Sequence, residues 1–330
     1  MKKKSIGISV ASILATLAVV EGFNFYNDVK NHSSTEDAVI YTQSEVDELV
    51  EKAELEGETS ILSKIKDSLT AGNSVITTLK ALYPDYLVVV SQNLYHWVEI
   101  DDSLKMNDYN IDNLEVDSET GEYTYVENGT ITSKKGIDVS SHQGSIDWDA
   151  VKNDGVEFAF VRACYRGYTT GGLQEDEYAS SNIKGAKNAG IDVGVYVFSQ
   201  AITEEEAIEE AQLVLDILDG TTLELPIVYD VERIVSDSAR MNELTVEERT
   251  KVTLAFLNTI EDAGYDTMIY HNTEMGALLI DFSQLENYKK WFASYNQEFY
   301  WPYDYDVWQY SESGTVDGID GDVDLDIMFE

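Results

Sequence analysis

Cysteine is all but missing: Cys164 is the only one in 330 residues, which rules out a disulfide within the chain. Histidine is scarce too, with four scattered copies, so no Cys/His cluster of zinc type can be assembled. Nothing in the sequence calls for a metal or another cofactor. Positive charge is the third shortage: 22 basic residues stand against 62 acidic ones, a formal net charge of −40. That balance excludes nucleic acid, whose binding is driven by cationic contacts to phosphate. It favours solubility and gives little help toward an anionic surface. What the chain does have is a hydrophobic share of 43% and a large aromatic supply, 21 Tyr and 5 Trp. Such side chains line sites for flat, polar-edged ligands such as sugars, and equally serve as ordinary core.

The chain opens "MKKKSIGISVASILATLAVVEGF", three lysines followed by a nearly uncharged apolar run from Ile6 to Val20. This is the pattern of an export signal. The run is short for a membrane span, yet no small-x-small cleavage site follows it. Residues 1–33 are therefore expected to be either a cleaved signal peptide or an uncleaved membrane anchor, with the anchor favoured. Either way Lys2 to Lys4 stay in the cytoplasm and the remainder is exported, secreted or tethered at the outer face. The membrane enters only through this segment; the oligomeric state is not legible.

Residues 34–134 read as an accessory α+β region. Val46, Leu49, Val50 and Ala53 fall at i, i+3, i+4 and i+7, and Ile61, Ile65 and Leu69 resume the stripe beyond Gly57. The pattern predicts a helix, a stalk or a coiled coil. "SVITTLKALY" predicts a second helix, "YLVVVSQNLYHWVEI" a strand-like stretch, and "EYTYVENGTIT" a small alternating β element before a linker. From Gly136 onward, short apolar runs alternate with amphipathic helices, the signature of a mostly parallel sheet. The strands are "GIDVS", "FAFVRAC", "DVGVYVFS", "PIVYDVE", "MIYHN", "WFASY", "DVWQY" and "VDLDIM". Five helices lie between the first six of them, the last in "SQLENYKKW". The expected architecture of 135–330 is an irregular TIM-like β/α barrel of about eight strands and five helices.

In such a barrel, polar residues at the C-terminal strand ends face the active-site mouth. The runs here deliver Asp138, Tyr196 with Ser199, Asp230 with Glu232, Tyr270 with Asn272, Tyr295, Gln309 and Asp324. Asp230 and Glu232, at i and i+2 on one strand, share a face roughly 6–7 Å apart. Neighbouring carboxylates repel as anions, which holds one protonated near neutral pH. One acid and one base within reach of a single bond is what glycoside hydrolysis requires.

The segments "GIDVSSHQGSIDW", "FAFVRACYRGY", "AGIDVGVYVFSQA", "PIVYDVE" and "WQYSESGTVDGIDGDVDLD" together resemble glycoside hydrolase family 25, the Chalaropsis-type lysozymes, over about 195 residues. The resemblance implies a muramidase cutting the β-1,4 bond between N-acetylmuramic acid and N-acetylglucosamine in peptidoglycan glycan strands. It maps the acidic quartet onto Asp138, Asp230, Glu232 and Asp324. Glu232 becomes the general acid, and Asp230 the nucleophile or the group orienting an acetamido nucleophile of the substrate. Tyr196, Tyr270, Tyr295, Trp308 and Gln309 are the candidates for sugar contact. Two positions depart from the family pattern: Val197, where many relatives have histidine, and Val231, where many have tryptophan. The first is expected to remove one polar contact, the second to change little.

Other readings compete. A chitinase-type barrel needs two further aspartates where Leu225 and Val228 stand. A catalytically inactive cell-wall-binding module would keep the barrel but lose an acid. "DGIDGDVDLD" fails as a calcium loop because Leu325 occupies the turn-glycine position. His142 reads as a loop residue near the mouth, Cys164 as a buried small side chain. Arg162 is placed to face the interior and pair with Asp138 or Asp230.

Overall fold

A computed structural model describes residues 42–295 and 300–330. The export segment, residues 1–33, lies outside the described residues. Among those described, no helix is long and apolar enough to cross a membrane. The chain divides into two units, Met1–Pro84 and Asp85–Glu330.

In the first unit, helix α1 (Gln43–Thr70) starts at a capping box, in which the Thr42 side chain accepts from the Glu45 N–H and Glu45 returns the bond. It runs through Gly57 without a break, and none of its residues is buried. The expected stripe is present, but Val46, Leu49, Val50, Ile61 and Leu69 are all exposed. Helix α2 (Val75–Leu82), capped by Ser74, follows.

The second unit opens with a hairpin, β1 (Tyr86–Ser91) and β2 (Leu94–Glu99), in place of the single stretch the sequence pattern implied. A three-stranded antiparallel sheet, β3 (Leu114–Val116), β4 (Tyr123–Glu127) and β5 (Thr130–Ile131), comes next. The expected linker before the barrel is packed chain instead. Asn107 donates to the Trp301 carbonyl at 2.5 Å, Tyr109 stacks on Phe329 at 4.1 Å, and Tyr125 is buried. Aromatic rings supply the apolar surface that a run of aliphatics supplies elsewhere, which is why hydrophobic periodicity alone missed this layer.

The barrel itself is laid down by β6 (Ser133–Val139), α3 (Trp148–Asn153), β7 (Phe158–Arg166), the short β8 (Leu173–Glu175), α4 (Ala179–Asn188) and β9 (Asp192–Ser199). It continues through α5 (Glu204–Leu218), β10 (Ile227–Val231), α6 (Val246–Asp262), β11 (Thr267–Asn272), β12 (Lys289–Ala293), β13 (Val307–Gly314) and β14 (Val323–Phe329). Sheet order is β6-β14-β13-β12-β11-β10-β9-β7, closed by the β6–β7 pairing, so eight strands make a barrel and β8 pairs on β7 outside it. All eight strands foreseen in the sequence are present. The irregularity is β14, antiparallel to both β13 and β6. The fifth helix, expected in "SQLENYKKW", is the other difference: that stretch holds only the end of a 3-10 turn (Phe282–Leu285) and the start of β12, with a π turn (Met275–Leu279) before it.

Helix ends follow local chemistry. Thr203 caps α5, whose first turn carries Glu204, Glu205 and Glu206 against the positive end of the helix dipole. Inside the barrel, alternate strand positions build the core: Phe158, Phe160, Tyr196, Val228, Met268, Tyr270, Trp291, Ala293 and Val307. Two glycines make room for the phenyl rings. A Cβ on Gly136 would sit 2.1 Å from the Phe158 ring, and one on Gly194 would sit 2.5 Å from that of Phe160.

Candidate active site

Above this packed layer, the same inward positions turn polar. A cavity of about 210 Å³ is lined by Asp138, Arg162, Tyr196, Phe198, Asp230, Glu232, Tyr270, Trp291, Tyr295, Gln309, Glu312 and Asp324. Its floor is Trp291, stacked on Phe160 at 4.6 Å and meeting Tyr270 edge-on at 4.8 Å. The indole N–H donates to Asp326 Oδ1 at 2.8 Å.

The four acids arrive from three strands. Asp138 on β6 and Asp324 on β14 are direct cross-strand partners. Asp230 lies at the end of β10, and Glu232 follows two residues later, after the last ladder pair of that strand. One amide organises their surroundings. Gln309 Nε2 donates to Asp138 Oδ2 at 2.6 Å, while its Oε1 accepts from the Tyr270 and Tyr295 hydroxyls at 2.7 and 2.8 Å.

Every one of these carboxyls titrates high. Burial pushes Asp138 well above the usual carboxylate range, and Asp324 and Asp326 add to the effect while the Gln309 bond opposes it. Burial and then Glu232 do the same to Asp230, with the Arg162 guanidinium opposing. Glu232 is raised by burial against a hydroxyl contact from Tyr270, and Asp324 is pushed up to about 6 by burial and Glu312. Asp326, fully buried beneath them, is raised by burial and by Asp324. Like charges this close cannot all ionise, so the cluster retains protons near neutrality and titrates as a unit. A proton donor and a charged carboxylate can therefore coexist across one small cavity. Asp230 Oδ1 is buried and has no hydrogen-bond partner among the described residues.

Eight of the nine site residues singled out in the sequence line this cavity. Trp308 does not. It precedes the inward-facing Gln309 on β13 and so points to the opposite side, where it is buried against Tyr123 at 5.0 Å and donates to the Ser294 carbonyl at 2.9 Å. Ser199 and Asn272 turn away as well: Ser199 bonds Glu210 and Tyr229, and Asn272 caps the Met275 N–H. Arg162 faces the cavity but pairs with Asp176, at 2.8 Å, rather than with Asp138 or Asp230. Val197 and Val231 are both fully buried and absent from the lining, so the first costs the cavity no contact after all. His142 is exposed on a 3-10 turn and does not line the cavity. Trp291, Phe198 and Glu312 were overlooked. Period-2 counting back from Tyr295 and Gln200, and on from Gln309, marks the first two and leaves Glu312 hidden behind a bulge in β13.

Comparison with known proteins gives the fold and site a context. The profile of "Glycosyl hydrolases family 25" matches residues 137–319. The autolytic lysozyme of Clostridium acetobutylicum is 30% identical over 197 residues, which are 59% of this chain and 56% of that protein. The chain thus spans little more than half the length of that relative. Among solved structures, the modular autolysin LytC from Streptococcus pneumoniae superposes with a TM-score of 0.55 at 24% identity, covering 74% of this chain and 61% of the other. A family 25 glycosyl hydrolase from Bacillus anthracis gives 0.51 at 22% identity, with 73% and 95% covered. At those identities the two structures speak for the fold.

Proposed function

The chain belongs to glycoside hydrolase family 25, whose profile matches more than half of it, and on that premise we propose that the barrel mouth hydrolyses peptidoglycan. The bond cut is the β-1,4 linkage between N-acetylmuramic acid and N-acetylglucosamine, in the wall outside a bacterial cell. Residues 1–33 serve export or anchoring, 34–134 form the accessory part, and 135–330 carry the chemistry. Glu232, whose pKa is raised by burial, acts as general acid on the leaving glycosidic oxygen.

The observation that carries the reading is the pairing of Glu232 with Asp230 on one wall of the cavity, with Asp230 Oδ1 buried and unpartnered. An orphaned buried oxygen awaits a donor. The N–H of a 2-acetamido group on the sugar is such a donor, and holding it aims the acetamido oxygen at the anomeric carbon. As the acetamido oxygen bonds to the anomeric carbon, the Glu232 proton passes to the glycosidic oxygen, and the bond between that carbon and the leaving oxygen breaks. Water then reopens the ring formed and returns a proton to Glu232. Tyr196, Tyr270 and Tyr295 offer hydroxyls and ring edges to the sugar, while Asp324 raises and the Gln309 bond lowers the pKa of Asp138.

The test is digestion of purified peptidoglycan by the full chain beside its Glu232→Gln variant, with the new reducing ends identified. Muramic acid at the reducing end, from the wild type alone, supports both bond and acid. Glucosamine there refutes the bond specificity. A folded protein that binds wall and releases nothing is the non-catalytic binding module.

A further inference from the structure

Glu232 has an exposed structural problem. The last pair between β10 and β9 is Val231 with Ser199, and the last between β10 and β11 is Asp230 with Tyr270. The acid therefore sits one residue past the sheet, where no ladder bond fixes its backbone. Something else must aim it.

Two groups do. Gln200, fully buried at the end of β9, donates through Nε2 to the Glu232 carbonyl at 3.2 Å. On the other side is Arg233, the next residue in the chain. Its Nη1 donates to Glu274 Oε1 at 2.9 Å and lies 3.4 Å from Ser91 Oγ, while Ser91 donates to the same Glu274 oxygen at 2.5 Å. Gln92 completes the set. A guanidinium offers donors only, so the Gln92 amide must turn its oxygen toward Arg233. So oriented, it accepts from Nη2 at 2.6 Å and from Nη1 at 3.3 Å. Ser91 and Gln92 are the tip of the β1–β2 hairpin, which lies outside the family-matched segment.

The backbone at that tip points the same way. Gln92 and Asn93 both have positive φ, 50° and 61°, as a two-residue hairpin turn between twisted strands requires. Glycine or asparagine suits the first of these positions better than glutamine. A glutamine there is tolerated by the turn and used by its side chain.

From this geometry we infer that the β1–β2 hairpin is a positioning element of the active site: Ser91 and Gln92 clamp Arg233 and thereby hold Glu232 in its working orientation. The inference rests on the proposed role of Glu232 as the acid. Arg233 and Gln92 are positioning residues, since neither lines the cavity.

The informative variant is Gln92→Gly in the full chain. Glycine relaxes the turn, so folding is preserved, yet the acceptor for Arg233 is gone. On purified peptidoglycan, kcat is expected to fall about tenfold with KM little changed, the signature of a misaimed reacting group. Hydrogen exchange at the amides of Glu232 to Ile234 should quicken by about an order of magnitude, with thermal stability held or raised. Gln92→Glu, which keeps an oxygen at the same reach, should restore both. Wild-type exchange at those amides in Gln92→Gly overturns the clamp, as does an unchanged kcat. If the wild-type chain leaves the wall uncut, the proposed activity fails, while the exchange rates still decide the clamp.

Discussion

Replacing Asp324 by asparagine should stabilise this protein at neutral pH and leave it unaltered in acid. Asp324 is partly buried, stands across the sheet from Asp138, and accepts no hydrogen bond among the described residues. Burial first, then Glu312, push its pKa up to about 6. In the unfolded chain an aspartate titrates near 3.9. Between those values the native state binds more protons than the unfolded state, so unfolding free energy falls as pH rises. The contribution is intact below about pH 4 and is lost by the time the pH has passed about 6. A shift of about two units at roughly 1.4 kcal/mol each is about 3 kcal/mol, trimmed by solvent screening to about 2 kcal/mol. Asparagine keeps the shape and never ionises, so the variant escapes that loss. Urea midpoints for both proteins from about pH 4 to pH 8 provide the assay. The net charge of −40 acts on both, so the difference between them reports Asp324 together with the neighbouring acids whose pKa it raises. Two curves that stay parallel across the range, or a variant weakened at neutral pH, would refute the electrostatic account of the cavity.

Other expectations follow from the same geometry. Glu232→Gln should lower kcat by about 10²–10⁴-fold while wall binding persists, measured by reducing-end release beside a pelleting assay. Because a general acid works only when protonated, wild-type kcat should decline as pH rises through the elevated Glu232 pKa, and a profile climbing through neutrality would contradict the assignment. Trp308→Ala should cost about 3–5 kcal/mol of stability, as a buried indole does, yet leave KM for the wall unchanged once folded. Residues 135–330 alone should melt below residues 85–330, since removing 85–134 uncovers Tyr305 and Phe329; equal melting temperatures would show that layer to be dispensable.

Much of the barrel was legible because its code is short-range. Each strand is an apolar run closed by a polar residue, and position parity decides which side chains look inward. Where parity was applied, at Asp230 and Glu232, the site emerged. At Trp308 residue type suggests a sugar contact while parity, with its neighbour Gln309 facing in, points the tryptophan outward, and parity is right. The partner of Arg162 was illegible for a different reason. Asp176 lies fourteen residues on, beyond β8, and nothing local says that the chain folds back there. The packing of 101–134 was hidden because tyrosines carry it, and a tyrosine reads as surface or core with equal ease. The clamp on Arg233 joins residues 142 positions apart and has no sequence signature at all.

That distribution of legibility matches a division of labour in the molecule. The cavity is built against its own stability: raised carboxyls crowd together, and Asp230 Oδ1 and Asp326 Oδ2 are buried without partners among the described residues. Such groups persist only where the surroundings leave them no alternative. Three networks beside the cavity are well bonded by contrast. Asp176 takes bonds from the Ser141 and Tyr178 amides and from Arg162, locking that cation in the cavity wall. Glu210 is held by Arg166, Ser199 and Tyr229, all of them buried, behind the ends of β7, β9 and β10. The Gln309 side chain spends every bond it makes on Asp138, Tyr270 and Tyr295. Well-bonded networks around an unsatisfied centre are the arrangement by which a fold keeps reactive acids in place instead of relaxing around them. On this view the accessory hairpin has the same purpose as those networks, supplied from outside the barrel because the strand that carries Glu232 ends one residue too soon.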